Sequence, residues 1–352
     1  MSRFYHGLTI ALLALGLAVS CSGDNPADEN NRDMGEIPKA RGGAPGVWIP
    51  GQNSMFIFGG MSPITNDTWQ FSADQQSWEE IIDLGNIPLP RCHHTLVAND
   101  AGSDILLFGG FSQSGRFNDT WRFDAGNGTW SELNVEGPLP DKRCLQTSAY
   151  IESTGQMFVY GGISGGGVST GDFFQDTWLF DSETQQWTQV ETDSGPGKLS
   201  GAISFYSSER EAVFLWGGKQ VDSYPTQLWR FDVESRSWTT VETAGPTPQG
   251  REDPTVFWND DLQLLYMIHG SNENIGDDHP DGAFELDLET FTWTRLEGQE
   301  VPPQRWRASA VFDEATGTGY MYGGWVGFND QNLQDTWKYD FDEKEWTRAI
   351  PR

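Results

Sequence analysis

The sequence predicts an all-β fold, a ring of six four-stranded antiparallel blades, on three observations. A Gly-Gly-like pair recurs six times, as Gly59-Gly60, Gly109-Gly110, Gly161-Gly162, Gly217-Gly218, His269-Gly270 and Gly323-Gly324, at intervals of 50, 52, 56, 52 and 54 residues. Behind each pair come two aromatics nine residues apart: Trp69/Trp78, Trp121/Trp130, Trp178/Trp187, Trp229/Trp238, Phe284/Trp293 and Trp337/Trp346. Eighteen residues ahead of five pairs stands an arginine, at Arg41, Arg91, Arg143, Arg251 and Arg305; the fourth repeat has Leu199 there. A period near fifty marks one supersecondary unit, repeated because a single copy cannot bury its own faces.

Taken from the N-terminus, residues 8–19 (LTIALLALGLAV) form an apolar run too short to span a bilayer, followed by Ser20-Cys21. This reads as a lipoprotein signal peptide over 1–20 with Cys21 lipidated, and predicts an exported bacterial lipoprotein at the outer membrane or cell surface. Residues 21–37 are polar and acidic without apolar periodicity, the composition of a disordered tether. The repeats fill 38–352. In each, strand a follows the arginine, as in 91–98 (RCHHTLVA), and strand b is an apolar run ending at the glycines, as in 105–110 (ILLFGG). Strand c carries the first aromatic, as in 119–124 (DTWRFD), and strand d begins at the second, as in 130–135 (WSELNV). Gly, Pro, Asn and Asp clusters part these β-rich segments. Because 34–41 (MGEIPKAR) copies 84–91 (LGNIPLPR), the ordered chain begins in a d-to-a connection. Blades one and six then meet at a seam without an exchanged strand, helped by 34–41 lying along it. The spaced aromatics are read as inter-blade packing, each indole N–H seeking a partner.

The formal charge of -29, from 51 acidic against 22 basic side chains, makes nucleic acid and anionic lipid poor partners. Membrane contact is expected through the lipid anchor alone, and the domain is expected to be a monomer. Cys92 and Cys144 each follow the motif arginine in neighbouring blades. Export would permit a disulfide between them, with two separate buried thiols the alternative.

The Pro-x-x-Arg, Gly-Gly, Asp-Thr-Trp-x-Phe-Asp and spaced-Trp elements resemble the kelch repeat over residues 38–350, which implies a six-bladed kelch β-propeller. The resemblance also implies that the d-to-a and b-to-c connections share one face at the mouth of the axial channel, where ligands bind. The early strand-a positions Gly43, His93, Leu145, Gly201, Asp253 and Arg307 are expected to point into that channel. His93, Asp253 and Arg307 around one concavity could perform acid–base chemistry on a sugar; the plainer alternative is an Asp253–Arg307 ion pair beside a solvated histidine. The candidate ligand-binding set adds Trp325, Phe328, Trp306, Phe173, Phe174, Tyr224, Phe111 and Phe117, aromatics on or near the same face. Clustered oxygens at Asp277, Asp278, His279 and Asp281 in the blade-five loop could hold Ca²⁺, though without an ordered ligand spacing.

No nucleophile triad, phosphate loop or metal motif appears, and no cofactor is expected. The leading reading is therefore a non-catalytic propeller, displayed on the cell envelope and binding a protein or glycan. The alternatives are a carbohydrate-active enzyme, mutarotase-like rather than galactose-oxidase-like, and a structural spacer in a surface assembly. Convergence of His93, Asp253 and Arg307 in an open pocket would favour the enzyme; a plugged channel with an aromatic face would favour the binder.

Overall fold

The computed structural model describes residues 36–82, 85–165, 171–272, 282–327 and 331–350. Six four-stranded antiparallel meanders follow one another along the chain, each built wholly from one repeat, as predicted. Blade one comprises Gly46–Ile49, Ser54–Phe58, Thr68–Ser72 and Ser77–Ile81, strands a to d. The inner strands of blades two to six are Thr95–Ala98, Thr147–Ile151, Ile203–Ser207, Thr255–Asn259 and Ser309–Asp313. The only helical segments among the described residues are two single 3₁₀ turns, Pro50–Gln52 and Glu152–Thr154.

Strand b is apolar at every position because alternate residues serve two cores. In blade one, Met55 and Ile57 pack with blade six, whereas Phe56 and Phe58 pack with blade two. A strand covered on both faces reads as a continuous apolar run rather than an alternating one. The nine-residue aromatic offset follows from the c–d hairpin. Phe71 pairs with Trp78 and Trp69 with Glu80, so the two Trp residues lie diagonally on one face. In blades three and four the equivalent ring centroids are 6.4 and 6.5 Å apart, edge to face.

In four blades the second Trp donates its indole N–H to the motif Thr of the blade before; Trp346 donates instead to Tyr266 Oη at 2.8 Å, Ala283 standing in the Thr position of blade five. Trp130 bonds Thr68 Oγ1 at 3.2 Å, Trp187 bonds Thr120 at 3.1 Å and Trp238 bonds Thr177 at 3.0 Å. Trp78 bonds Thr336 at 2.9 Å, which carries the pattern across the seam. In blade four Leu228 replaces the Thr, and Trp293 Nε1 has no partner; its ring packs instead on Trp216, centroids 5.5 Å apart.

The motif arginines are buried ties within each blade. Arg143 donates to Asp176 through both Nη1 (2.6 Å) and Nη2 (2.7 Å), and Nη1 also bonds the Gly161 carbonyl at 3.0 Å. The same fork joins Arg41 to Asp67, Arg91 to Asp119 and Arg305 to Asp335. Where blade four lacks the arginine it also lacks the Asp: Gln227 stands there and bonds the Leu228 and Val241 carbonyls. Burial alone would raise the pKa of Asp67, Asp176 and Asp335, but the arginine bonds and charges outweigh it and hold all three below normal.

The seam is closed by the same bonds as the other interfaces. Gly324 N–H donates to the Arg41 carbonyl at 2.8 Å, as Gly60 does to Arg91 at 2.9 Å. The first glycine, Gly59 at φ +62°, has no room for a Cβ, which would lie 2.5 Å from the Arg91 carbonyl oxygen. Along the seam Pro38 accepts from Tyr322 Oη and Gln334 Nε2, and Ile37 packs into the blade-one/blade-six core.

Candidate functional site

Just after each motif arginine, the chain turns through a left-handed residue before entering strand a. Gly43, His93, Leu145, Gly201, Asp253 and Arg307 all have φ between +49° and +66°. Side chains in this region cost roughly 1–2 kcal/mol each, and four of the six positions carry one. A closed ring of backbone hydrogen bonds offsets that cost. His93 N–H donates to the Gly43 carbonyl (2.8 Å), Leu145 to His93 (3.1 Å) and Gly201 to Leu145 (2.9 Å). Asp253 then donates to Gly201 (2.9 Å), Arg307 to Asp253 (3.2 Å), and Gly43 to Arg307 (2.9 Å), which completes the circle.

All six residues line one cavity of about 170 Å³ at the mouth of the channel. Within it Arg307 Nε donates to Asp253 Oδ2 at 2.7 Å, and Arg307 Nη1 lies 3.5 Å from His93 Nε2. Burial works against the Arg307 charge, but Asp253 and Glu252 outweigh it and hold its pKa above normal. His93 differs from the solvated histidine of the sequence reading: it is only 6% exposed, and its ring lies over Gly43. Burial first, and then the Arg307 charge, hold its pKa well below normal, so the ring is neutral.

The aromatic candidates lie around this cavity rather than in it. Phe117 and Phe174 sit beneath buried arginines, with the Arg91 and Arg143 guanidinium carbons 4.0 Å from their ring centroids. Trp306 is buried and meets Trp325 edge-on at 6.1 Å; Trp325, half-buried, lies 5.5 Å from the Arg307 guanidinium. Phe111 and Phe173 are half-buried against Cys144, Leu145 and Ile163, and Tyr224 faces the Lys219 ammonium at 5.9 Å. Phe328, Cys21 and the loop residues Asp277, Asp278, His279 and Asp281 lie outside the described residues.

Cys92 and Cys144 are free thiols, not a disulfide. Both sulfurs face the b-to-c loop of blade two: Cys92 Sγ is 3.6 Å from the Phe111 carbonyl oxygen, and Arg116 Nε donates to Cys144 Sγ at 3.2 Å. Burial pushes the Cys92 thiol up to about 12, so it is protonated and unreactive.

Two residues that the sequence reading left out also line the cavity. His94 and Gln146 follow the ring residues of blades two and three, where the other blades have Ala44, Ala202, Pro254 and Ala308. Polar side chains at an otherwise apolar repeat position were the available signal. At the opposite ends of the inner strands a second cavity, of about 630 Å³, is lined by Trp48, Phe205, Trp258, Asp261 and Glu314 among others. Glu152 lies beside it; burial and a hydrogen bond to Asp100 push its pKa up to about 8.

The family model described as the KLHDC2/KLHL20/DRC7 Kelch-repeats domain matches residues 29–199 and 200–352. The chain belongs to this kelch-repeat family. Among similar proteins, the leucine-zipper-like transcriptional regulator 1 homolog of Drosophila melanogaster is 26% identical over 314 residues, covering 82% of this chain and 30% of that one. Kelch domain-containing protein 10 of Xenopus tropicalis is 24% identical over 325 residues, 84% of this chain and 74% of that one. N-(sulfonatooxy)prop-2-enimidothioate sulfolyase of Thlaspi arvense is 23% identical over 308 residues, 79% of this chain and 86% of that one. The kelch chain spans 30% of the Drosophila protein and 5% of a Chlamydomonas reinhardtii flagellar dynein alpha chain. These named relatives, like a human one, are eukaryotic, and they overturn the expectation of a bacterial exported lipoprotein.

Proposed function

We propose that this kelch propeller is a non-catalytic recognition module, whose channel mouth takes up one short side chain of a protein partner. The half-buried Trp325, Phe111, Phe173 and Tyr224 around the mouth would hold the flanking segment. The observation that carries this reading is the size and state of the cavity. At about 170 Å³ it falls below the roughly 300–1,000 Å³ of sites that enclose a whole small molecule. Arg307 is already paired with Asp253 and faces His93 Nε2, so His93 is poorly placed to act as a free general base. Convergence of the three residues would favour an enzyme on its own, but the volume and the satisfied pairing favour the binder.

The test is capture of partners from a proteome by the propeller, compared with Arg307→Ala and Trp325→Ala, with a glycan array in parallel. Recognition at the mouth predicts a protein captured by the wild type and lost in both variants. Capture that survives both substitutions, or glycan binding alone, would refute it. A second reading is favoured by the plant sulfolyase, of whose length the chain covers 86%: a lyase acting on a sulfated substrate of that kind. Sulfate release from N-(sulfonatooxy)prop-2-enimidothioate, measured with the purified chain, decides that reading directly.

A further inference from the structure

The far mouth of the channel gathers acidic and aromatic side chains and no basic ones. The cavity of about 630 Å³ and a neighbouring one of about 460 Å³ share Asp100, Phe205, Trp258, Asp261 and Glu314 in their walls, so they form one continuous hollow. Its rim carboxylates come from the turns that join strands a and b: Asp100 in blade two, Glu152 in blade three, Asp260 and Asp261 in blade five, and Glu314 in blade six. Asp100, Asp261 and Glu314 are exposed and the other two half-buried, so all five are within reach of a ligand. No Lys, Arg or His lines the hollow. Arg210, the one basic residue in these six turns, lies over the Phe291 ring at 5.2 Å instead. Burial raises the pKa of both Glu152 and Glu314; Asp100 acts further on both, and Asp260 and Asp261 on Glu314, so charges from four blades act on one another across the opening. Like charges held together repel, and a bound cation relieves that repulsion. Trp48, Tyr150, Trp258 and Phe312 line the same hollow, each half-buried. Trp48 stacks on Tyr320 at 5.3 Å and Trp258 packs against Phe205 at 4.5 Å, so both indoles are held in place.

We infer that the far mouth is a docking site for an extended basic segment of a protein partner, which lays arginine side chains into the hollow between the rim carboxylates and the aromatic rings. The site shares no lining residue with the cavity at the other mouth and does not rest on the recognition reading given above. A bare metal ion is a poorer match, because no three Asp, Glu, His or Cys side chains among the described residues form a ligand set and the aromatic walls offer it nothing. A guanidinium is planar, forks onto carboxylate oxygens and stacks on aromatic faces, whereas an ammonium is a compact, strongly hydrated point charge. The volume of about 630 Å³ equals roughly twenty waters at about 30 Å³ each, room for a few residues rather than one side chain.

The probe is acetyl-triarginine amide, titrated by calorimetry against the full chain at about 0.15 M salt, where exposed charges are screened beyond about 8 Å. Acetyl-trilysine amide and the single residue acetyl-arginine amide are titrated beside it. Asp261→Asn/Glu314→Gln removes two exposed carboxylates of the hollow. Glu79→Gln/Glu132→Gln removes two exposed ones from the outer strands of blades one and two, and so controls for the charge of the whole chain. Triarginine should saturate one site, bind at least about tenfold more tightly than either comparison probe, and shift the indole N–H signals of Trp48 and Trp258 in NMR spectra. Its affinity should fall at least about tenfold in the first double variant and hold in the second. No saturation, equal affinity for trilysine or for acetyl-arginine amide, unmoved Trp48 and Trp258 signals, or the same loss in both double variants overturns the inference. If Asp261→Asn/Glu314→Gln fails to fold, as judged by thermal melting, the ranking of the probes and the two indole shifts on the wild type still decide it.

Discussion

Replacing Arg143 by Met tests whether the buried arginine fork holds a blade together. The side chain is fully buried and donates to the Asp141 carbonyl (3.0 Å), the Gly161 carbonyl (3.0 Å) and both oxygens of Asp176 (2.6 and 2.7 Å). Methionine fills much of the space but leaves Asp176, 20% exposed, with the Trp178 indole as its remaining side-chain donor. Removing one partner of a buried pair costs roughly 3–5 kcal/mol, because the other charge is stranded. At about 2 °C per kcal/mol for a domain of this size, the melting temperature should fall by roughly 6–10 °C. The double variant Arg143→Met/Asp176→Gln recreates the pairing that blade four carries as Leu199 and Gln227. It should recover at least about 2 kcal/mol relative to the sum of the single variants. The acid limb provides a second readout. The folded pKa of Asp176 lies below 3.8, so its stabilisation is present above that value and lost as pH falls through the folded pKa. Arg143→Met should flatten this contribution. Additivity within about 0.5 kcal/mol in a cycle measured by denaturant unfolding would refute the reasoning.

Three further predictions concern the ring, the blade interfaces and the far mouth. Gly43→Ala places a Cβ 2.3 Å from His93 Cε1 at φ +66°; it should displace the imidazole from Arg307 and cost roughly 1–3 kcal/mol, seen by His93 ring NMR shifts and thermal melting. Thr120→Val removes the acceptor of the Trp187 indole in a buried interface and should cost roughly 1–3 kcal/mol; a loss below a few tenths would mean the bond is incidental. Glu152 has a folded pKa raised from 4.5 to about 8, so ionisation is penalised and stability should decline as pH rises between those values. Glu152→Gln should remove that decline in melting curves taken across pH 5 to 9, and an unchanged slope would place the effect elsewhere.

Much of the scaffold was legible because it repeats. The motif arginines, the glycine pairs and the aromatic offset recur at fixed spacing, and the arginine makes the same fork in the four blades that also carry the motif Asp. The joint loss of Arg and Asp in blade four, as Leu199 and Gln227, was readable for the same reason. The candidate site was less legible. Gly43, His93, Leu145, Gly201, Asp253 and Arg307 are expected at the channel from the kelch resemblance, and they do line the cavity. Their left-handed backbone and closed hydrogen-bond ring carry no residue signature, since His, Leu, Asp and Arg all occupy it. Phe117 and Phe174 read as candidate ligand-binding aromatics, because an aromatic in a loop does not reveal the guanidinium stacked on it.

From the sequence alone came the number of blades, the strands of each, the position of the seam and the packing role of the paired aromatics. These are local or periodic properties, set by side-chain pattern within about fifty residues. The tertiary structure decided the state of the site. His93 and Arg307 lie 214 residues apart in the chain and meet only because the ring closes. Whether a histidine is solvated or neutral and buried depends on what the other blades bring to the same small cavity. Desolvation and pairing are properties of that assembled volume, and no spacing along the chain encodes them.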